Sequence, residues 1–405
     1  MTLTPALGTP SAPAGPGVLL GLIVARLARL RYGRLKLVLP GGGRYVFVGT
    51  EAGPSAELRI RRRRLGRRLA LGGGVGLAEA YVDGDWDSPD LPALLEVLAR
   101  NEAAFAGRLS GMRWPRLIGR ARHLLNRNTR AGARRNIAAH YDLSNDFYAT
   151  WLDPGMTYSG AVFADTGQDL AAAQAEKFRR IAALAGLRPG TAVLEIGCGW
   201  GGFAEYAARA YGCRVTAITL SRAQCDYARR RIRAAGLNDR VDIRVCDYRD
   251  MEDRYDAVVS MEMIEAVGEA YWPMFFDKVR NSLKPGGRAA LQAITMDEAR
   301  WPRYRGGADF IQKYVFPGGL LPPVSALRSN AAAAGLLWQD EASYGMDYAR
   351  TLALWRGRFE AAWPVIADLG FDARFRRLWR FYLAYCEAGF RVGRVDLLQF
   401  ALGRE

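Results

Sequence analysis

Histidine is nearly absent from this chain: its 405 residues include two, His123 and His140. A metal site built from several imidazoles is thereby excluded. Cysteine is sparse as well. Cys198, Cys213, Cys225, Cys246 and Cys386 are odd in number and form no CxxC pair. That pattern favours structural thiols in a reducing compartment over a disulfide framework or a zinc site. Long apolar runs are missing too. The one candidate, residues 18–25, falls far short of the ~20 apolar residues of a spanning helix. It has no basic stretch before it and no small-residue cleavage site, and it runs into Arg26 and Arg29. Neither a signal peptide nor a membrane anchor is expected.

Positive charge is abundant. Lysine plus arginine number 57 against 41 acidic residues, giving a net charge of +16 and a pI near 9.9, and arginine supplies nearly all of it. Such a field attracts polyanions, so nucleic acid, an anionic membrane surface and a phosphorylated substrate are the partner classes to weigh. Half the residues are hydrophobic and 11% are aromatic, enough for two buried cores.

The chain reads as a disordered leader at 1–16 and a small α+β N-terminal domain at 17–112. A basic linker follows at 113–135, and a larger domain at 136–405. In the smaller unit, 35–39 and 45–48 alternate as two strands around Pro40-Gly-Gly-Gly43, and 77–81 and 91–101 have helical periodicity. An arginine-rich stretch at 59–68 is either a solvated face or a basic dock. In the larger unit, apolar strand-like runs at 192–196, 214–219, 241–245, 257–260 and 289–294 alternate with helical stretches. That alternation predicts an α/β fold with a mostly parallel sheet and crossover helices.

The most informative stretch is Val193-Leu-Glu-Ile-Gly-Cys-Gly-Trp-Gly-Gly202. An apolar strand ends in Gly197, Gly199 and Gly201, and a helix follows. Glycines permit the tight turn and let a ligand approach the backbone. Three details favour S-adenosylmethionine over a dinucleotide. Glu195 stands just before the loop, ready for a cationic or polar part of the ligand. The full G-x-G-x-x-G pattern of pyrophosphate binders is absent. Leu283-Lys-Pro-Gly-Gly287 precedes a strand, as in the penultimate turn of Rossmann-like methyltransferases. Thr219, Ser221 and Gln224 offer hydroxyl and amide groups where an acid often meets the ribose. Asp247, Tyr248 and Arg249 are placed for the adenine.

Further segments carry a family resemblance. They are His140-Tyr-Asp-Leu-Ser-Asn-Asp-Phe-Tyr148, Met156-Thr-Tyr-Ser159, Thr219-Leu-Ser-Arg-Ala-Gln224, Met263-Ile-Glu-Ala-Val-Gly268, Lys313-Tyr-Val-Phe-Pro-Gly-Gly-Leu-Leu-Pro322 and Asp347-Tyr-Ala-Arg-Thr-Leu352. With the glycine loop, they make the chain from about 133 onward resemble the cyclopropane fatty acid synthases, and the N-terminal unit resembles the small leading domain of bacterial members. The resemblance implies a Rossmann-like class I methyltransferase domain with a seven-stranded sheet. It adds Tyr158 and Ser159 to the cofactor set and makes the segment from His140 a cover over the cofactor.

In that family the alkene attacks the sulfonium methyl and a proton is then lost, with a bound bicarbonate as base. Carried over by position, the groups holding that base are Gly160, Glu265, Gln292, Ile294 and Tyr348; His140 is a further candidate, either a structural hydrogen-bonder or a residue that orients the cover over the cofactor. Gly160 replaces a cysteine and Gln292 a histidine. Glu262-Met-Ile-Glu-Ala-Val-Gly268 and Leu291-Gln-Ala-Ile-Thr295 resemble a subgroup that includes plant-type cyclopropane synthases and enzymes making methylene- or methyl-branched chains. The expected reaction is therefore transfer of a methylene unit to the double bond of an unsaturated phospholipid acyl chain, closing a cyclopropane. C-methylation to a branched chain is the alternative. A nucleic-acid methyltransferase is a more distant one, disfavoured because no Asn-Pro-Pro-Tyr type motif is present. The expected protein is cytoplasmic, peripheral on the inner face of an anionic membrane, free of metal and nucleic acid, and compatible with a homodimer. Phe163, Tyr304, Phe310, Tyr314 and Phe316 are read as core aromatics, with a lipid channel as the alternative.

Overall fold

The computed structural model describes residues 18–105 and 143–405. The expected leader, the basic linker and His140 lie outside the described residues.

Helix α1 (Val18–Leu27) leads into a four-stranded sheet. Strands β1 (Tyr32–Val38) and β2 (Arg44–Val48) form the expected antiparallel hairpin, β3 (Glu51–Ile60) runs parallel to β1, and the two-residue β4 (Trp86–Asp87) closes the other edge. Leu35 and Leu37 on alternate positions of β1 are fully buried, which fixes the register of this half-buried sheet. Helix α2 (Leu65–Val82) kinks at Gly73, and α3 (Leu91–Arg100) is capped by Asp90, whose side chain accepts from the Ala93 amide.

The larger sheet holds β5 (Ala192–Ile196), β6 (Arg214–Thr219), β7 (Val241–Val245), β8 (Tyr255–Met261), β9 (Leu283–Met296), β10 (Leu337–Ser343) and β11 (Val395–Gly403). Their order is β10-β11-β9-β8-β5-β6-β7. Only β11 runs against its neighbours. Helices α4 (Leu170–Leu184), α5 (Gly202–Tyr211), α6 (Arg222–Ala234) and α7 (Trp272–Ser282) cover the sheet. Burial on both faces explains why β5 reads as a continuous run: Val193, Leu194, Glu195 and Ile196 are all buried. This is the α/β class I methyltransferase fold expected from the sequence. After β5 the chain builds outward to β6 and β7; after β8 it builds the other way to β9. The ends of β5 and β8 therefore flank the crevice where such sheets bind ligands.

Between β10 and β11 the chain inserts α8 (Gly345–Ala361) and α9 (Ala373–Arg391), which pack on each other. Helix α9 also holds the N-terminal unit. Arg377 donates to the carbonyls of Tyr81 (2.6 Å) and Trp86 (2.9 Å), and its guanidinium lies 4.0 Å from the Tyr81 ring centre. Tyr81 and Phe381 pack at 5.6 Å between ring centres. Burial of rings this size stabilises by ~1.5–3 kcal/mol each, so the two units share one core.

Candidate active site

The glycine loop follows β5 as a turn that only glycine makes easily. Gly197, Gly199 and Gly201 have φ of 86°, 52° and 81°. A Cβ on Gly197 would stand 2.9 Å from Cγ of Met263, and one on Gly201 would stand 3.0 Å from Cβ of Ala228. The loop thus leaves bare backbone at the N-terminus of α5, a cradle that fits S-adenosylmethionine. Glu195 is 1% exposed and accepts a hydrogen bond from the Ala204 amide in the first turn of α5, where a negative group suits the helix dipole. Its Oε2 has no partner among the described residues. Burial pushes this carboxyl up to about 8, against the pull of Lys177 and then Arg231.

The other expected cofactor residues gather at the same strand ends, several of them already engaged. The Thr219 hydroxyl and Gln224 Oε1 are 2.9 Å apart, and the Ser221 hydroxyl caps α6 by accepting from the Gln224 amide. Asp247 is buried and binds Arg249 at 2.6 and 2.8 Å, while the Tyr248 ring packs on Phe275. Tyr158 and Ser159 come from the loop before α4. The Tyr158 hydroxyl meets that of Tyr382 at 2.8 Å, and Lys177 Nζ donates to the Ser159 hydroxyl at 2.6 Å. Asn145, from the segment expected to cover the cofactor, accepts from Trp200 Nε1 at 2.7 Å. That bond ties the segment directly to the glycine loop.

A second cluster lies at the ends of β8 and β9. The Gly160 amide donates to Glu262 Oε1 (2.7 Å), Gln292 Nε2 donates to the same oxygen (2.8 Å), and the Tyr348 hydroxyl donates to Oε2 (2.7 Å). Gln292 has no freedom to flip, because Gln399 Nε2 donates to its Oε1 at 2.8 Å. The remaining two groups of the expected set pair with each other: the Ile294 amide donates to Glu265 Oε1 at 2.6 Å. Glu265 Oε2 is enclosed and has no partner among the described residues. Burial, followed by the neighbouring charge of Glu262, raises the Glu265 carboxyl to about 8. Burial also raises Glu262, but Tyr348, Lys177, Gly160 and Gln292 all pull it back. Two acids in one site are thus driven apart, with Glu262 the better stabilised anion.

The structure also answers the substitution of cysteine by Gly160. A Cβ there would lie 2.7 Å from Leu397 Cδ2 and 2.8 Å from Tyr348 Cδ1. Glycine is what allows the Tyr348 ring to close over the loop.

Three members of the cluster escape sequence reading. Glu262 sits in the same motif as Glu265, but the family resemblance carries over Glu265 alone. Gln399 lies on a strand whose alternation gives only burial. Lys177 had a usable signal: it is one of five lysines in a chain that otherwise uses arginine, and it is fully buried. Its desolvation lowers it to about 8, opposed by Glu262, Asp153 and Glu195.

Most of the aromatics weighed for a lipid channel are structural. Phe310 packs on Phe381 at 4.9 Å, Tyr314 bonds Glu79, Tyr304 accepts from the Leu321 amide, and Phe163 lies under Arg350. Phe316 does border the site, 6.4 Å from Tyr158 and 6.3 Å from Tyr382 between ring centres. With Trp355, 5.4 Å from Tyr158 and 6.1 Å from Tyr348, these rings form one wall beside the carboxylates. A surface cleft of about 450 Å³ near Gly286, Arg288 and Gly403 lies at the start of β9, the opposite end of the sheet from this chemistry. Among the described residues no group of three or more His, Cys, Asp or Glu side chains is placed to hold a metal ion, and no helix is long and apolar enough to cross a membrane.

Residues 128–400 match the family model of mycolic acid cyclopropane synthetase. The tuberculostearic acid methyltransferase UfaA1 of Mycobacterium tuberculosis is 45% identical over 350 residues, 84% of this chain and 81% of that protein. The cyclopropane-fatty-acyl-phospholipid synthase of Escherichia coli K12 is 35% identical over 350 residues, 86% of this chain and 88% of that one. Among solved structures, mycolic acid cyclopropane synthase CmaA1 complexed with SAH and CTAB superposes with a TM-score of 0.63. It is 28% identical, over 67% of this chain and 98% of that one.

Proposed function

Because this chain belongs to the mycolic acid cyclopropane synthetase family, we propose that it transfers a one-carbon unit to the double bond of an unsaturated acyl chain of a membrane phospholipid, closing a cyclopropane ring. The observation that carries this reading is the juxtaposition of the glycine loop at the end of β5 with the Glu262–Glu265 pair beyond β8, linked by Met263 against Gly197. S-adenosylmethionine, held by the loop, supplies an electrophilic methyl. Attack by an alkene creates positive charge on the lipid and leaves one proton to be removed, and both acts need a dry, oriented site. Tyr158, Phe316, Trp355 and Tyr382 keep water out, and aromatic faces favour a cation near them. The carboxylates beside Tyr348 supply the acceptor for the proton. The 45% identity to a tuberculostearic acid methyltransferase favours a second product, a methylene-branched chain or a methyl-branched chain that keeps a double bond, through loss of a proton without ring closure.

Incubation with methyl-labelled S-adenosylmethionine and vesicles of an unsaturated phospholipid tests the reading. Label in the lipid, with fragmentation distinguishing a ring from a branch, is the expected result. Label in added RNA, or none in lipid, would reject it.

To reach lipid the enzyme would dock at a membrane surface, which we propose is the inner face, approached from the cytoplasm; a self-paired enzyme would dock through two such faces. The arginine cluster is a weaker dock than its charge count suggests. Arg59 pairs with Glu57, Arg61 with Asp87, Arg62 and Arg64 with Asp85, and Arg68 with Asp83 and Asp85. Arg63 and Arg67 have no acidic partner among the described residues, and both are exposed. A free basic residue contributes ~1 kcal/mol near an anionic surface. Replacing both by alanine is expected to weaken binding to phosphatidylglycerol vesicles by about tenfold or more at low salt, with a smaller effect at high salt. Alanine at Arg61 and Arg62 should do less. Equal effects of the two pairs in a sedimentation assay would remove this docking face.

A further inference from the structure

We propose that the carboxylate of Glu262 is the proton acceptor of the reaction, a base built into the chain, so that turnover needs no dissolved anion. The inference rests on the transfer reaction proposed above and assigns one residue within it.

Four observations carry it. First, Glu262 is surrounded by donors. It takes three hydrogen bonds from donors of three kinds, the Gly160 amide, the Gln292 side-chain amide and the Tyr348 hydroxyl, at 2.7, 2.8 and 2.7 Å. Those are three of the five groups that the family resemblance assigns to a bound bicarbonate, and the other two, Glu265 and Ile294, bond each other. The cradle for an external anion is therefore filled by this chain's own carboxylate.

Second, the donors are themselves locked. Gln399 fixes the Gln292 amide. The absence of a Cβ at Gly160 lets the Tyr348 ring close against the loop, and Tyr348 packs 4.5 Å from Phe390 between ring centres. Groups so constrained hold a carboxylate oxygen in one place, as a positioned base requires.

Third, the backbone is bent to deliver the side chain. Glu262 has φ of 52°, a left-handed conformation that costs a residue with a side chain ~1–2 kcal/mol and that glycine would adopt freely. Strain at a cleft is a reason to look for function. The residue lies one position past the end of β8, with its amide donating to the Gln292 carbonyl at 2.8 Å.

Fourth, the position is right. Met263, the next residue, packs against Gly197 of the cofactor loop, so Glu262 stands between the methyl donor's cradle and the aromatic wall. Lys177, fully buried and attracted by Glu262, Asp153 and Glu195, is the compensating cation.

The electron count closes. The alkene π pair forms the new bond to the methyl carbon, and the carbon–sulfur pair stays on sulfur. A C–H bond of the transferred carbon then breaks. Its electron pair closes the ring, or forms a methylene double bond after a hydride shift, and the proton bonds to a Glu262 oxygen. The resulting carboxylic acid returns that proton to solvent when product leaves.

The test uses the full-length protein with phospholipid vesicles in buffer purged of carbon dioxide. Wild-type turnover is expected to change less than twofold when bicarbonate is added. Glu262→Gln keeps the cradle filled and accepts no proton, so it should lose at least 100-fold with cofactor binding and melting temperature retained. Glu262→Gly suits the backbone and empties the cradle; it should be as slow without bicarbonate and recover at least tenfold when bicarbonate or formate is supplied. Strong dependence of the wild type on bicarbonate, or near-normal turnover of Glu262→Gln, would overturn the assignment while leaving the transfer reaction standing. No product from the wild type with or without bicarbonate would take down the reaction and the assignment together. If Glu262→Gly fails to fold, the wild-type and Glu262→Gln results decide.

Discussion

Replacing Tyr348 by phenylalanine is expected to cut turnover at pH 7 by about 10- to 100-fold and to move the acidic limb of the rate profile upward. The change deletes one oxygen. The ring keeps its contact with Phe390, so folding and cofactor binding should survive. What is lost is the donor to Glu262 Oε2. A hydrogen bond to a charged group contributes ~1.5–3 kcal/mol, equivalent to about 1–2 pH units of carboxyl affinity for its proton. Burial already lifts Glu262, and Tyr348 is the strongest of the pulls that restrain it. Without that hydroxyl more of the carboxyl is protonated at neutral pH, and an acid cannot accept the proton of the reaction. Turnover should therefore recover as pH rises. A uniform loss at every pH would show that Tyr348 acts by shape alone.

The fold was largely legible because its signals are periodic and local. The apolar runs of β5, β6, β7, β8 and β9 come at the spacing of crossover units, and the glycine loop punctuates the first of them. Strand β3 was not legible: Gly53 and Pro54 interrupt its start, and its first residues are exposed, so alternation appears only after residue 55. The insertion of α8 and α9 between β10 and β11 is likewise a tertiary fact. Its length shows in the sequence, but its grip on the N-terminal unit depends on Arg377 reaching two carbonyls nearly 300 positions away.

The candidate site divides the same way. Gly160, Gln292 and Tyr348 do converge, as the family resemblance implies, yet they converge on Glu262. Composition cannot reveal which of two glutamates three residues apart receives the donors. That depends on the left-handed turn at 262 and on Gln399 arriving from the reversed strand β11, both set by long-range pairing. The charge pattern hides the pairing of the arginines for a related reason. Arg59 to Arg68 reads as a bare basic stretch until the turn holding Asp83, Asp85 and Asp87 folds back beside it, an apposition that sequence distance hides.

Stability should depend on pH in a direction set by the same buried groups. Glu195 and Glu265 both titrate near about 8 in the folded chain against an ordinary value of 4.5, chiefly because burial disfavours their charge. Folding therefore keeps protons that the unfolded chain releases. The contribution is fully present below pH 4.5 and is lost progressively as pH rises through 8, by up to ~1.4 kcal/mol per pH unit for each group. Lys177 works in the opposite window. Its folded value of about 8 lies below the ordinary 10.5, so stability returns between those values. The melting temperature of the ligand-free protein should accordingly fall from pH 5 to pH 8 and then level or rise. Glu265→Gln removes one ionisation without emptying the space. It should melt with the wild type at pH 5 and be more stable by about 2–4 kcal/mol at pH 7.5, flattening the slope. Parallel melting curves across that range would mean that Glu265 is charged in the folded chain. The distinction matters to the chemistry as well as to folding: a neutral Glu265 leaves Glu262, with its three donors and aimed by Tyr348, the carboxyl of the pair better placed to take a proton.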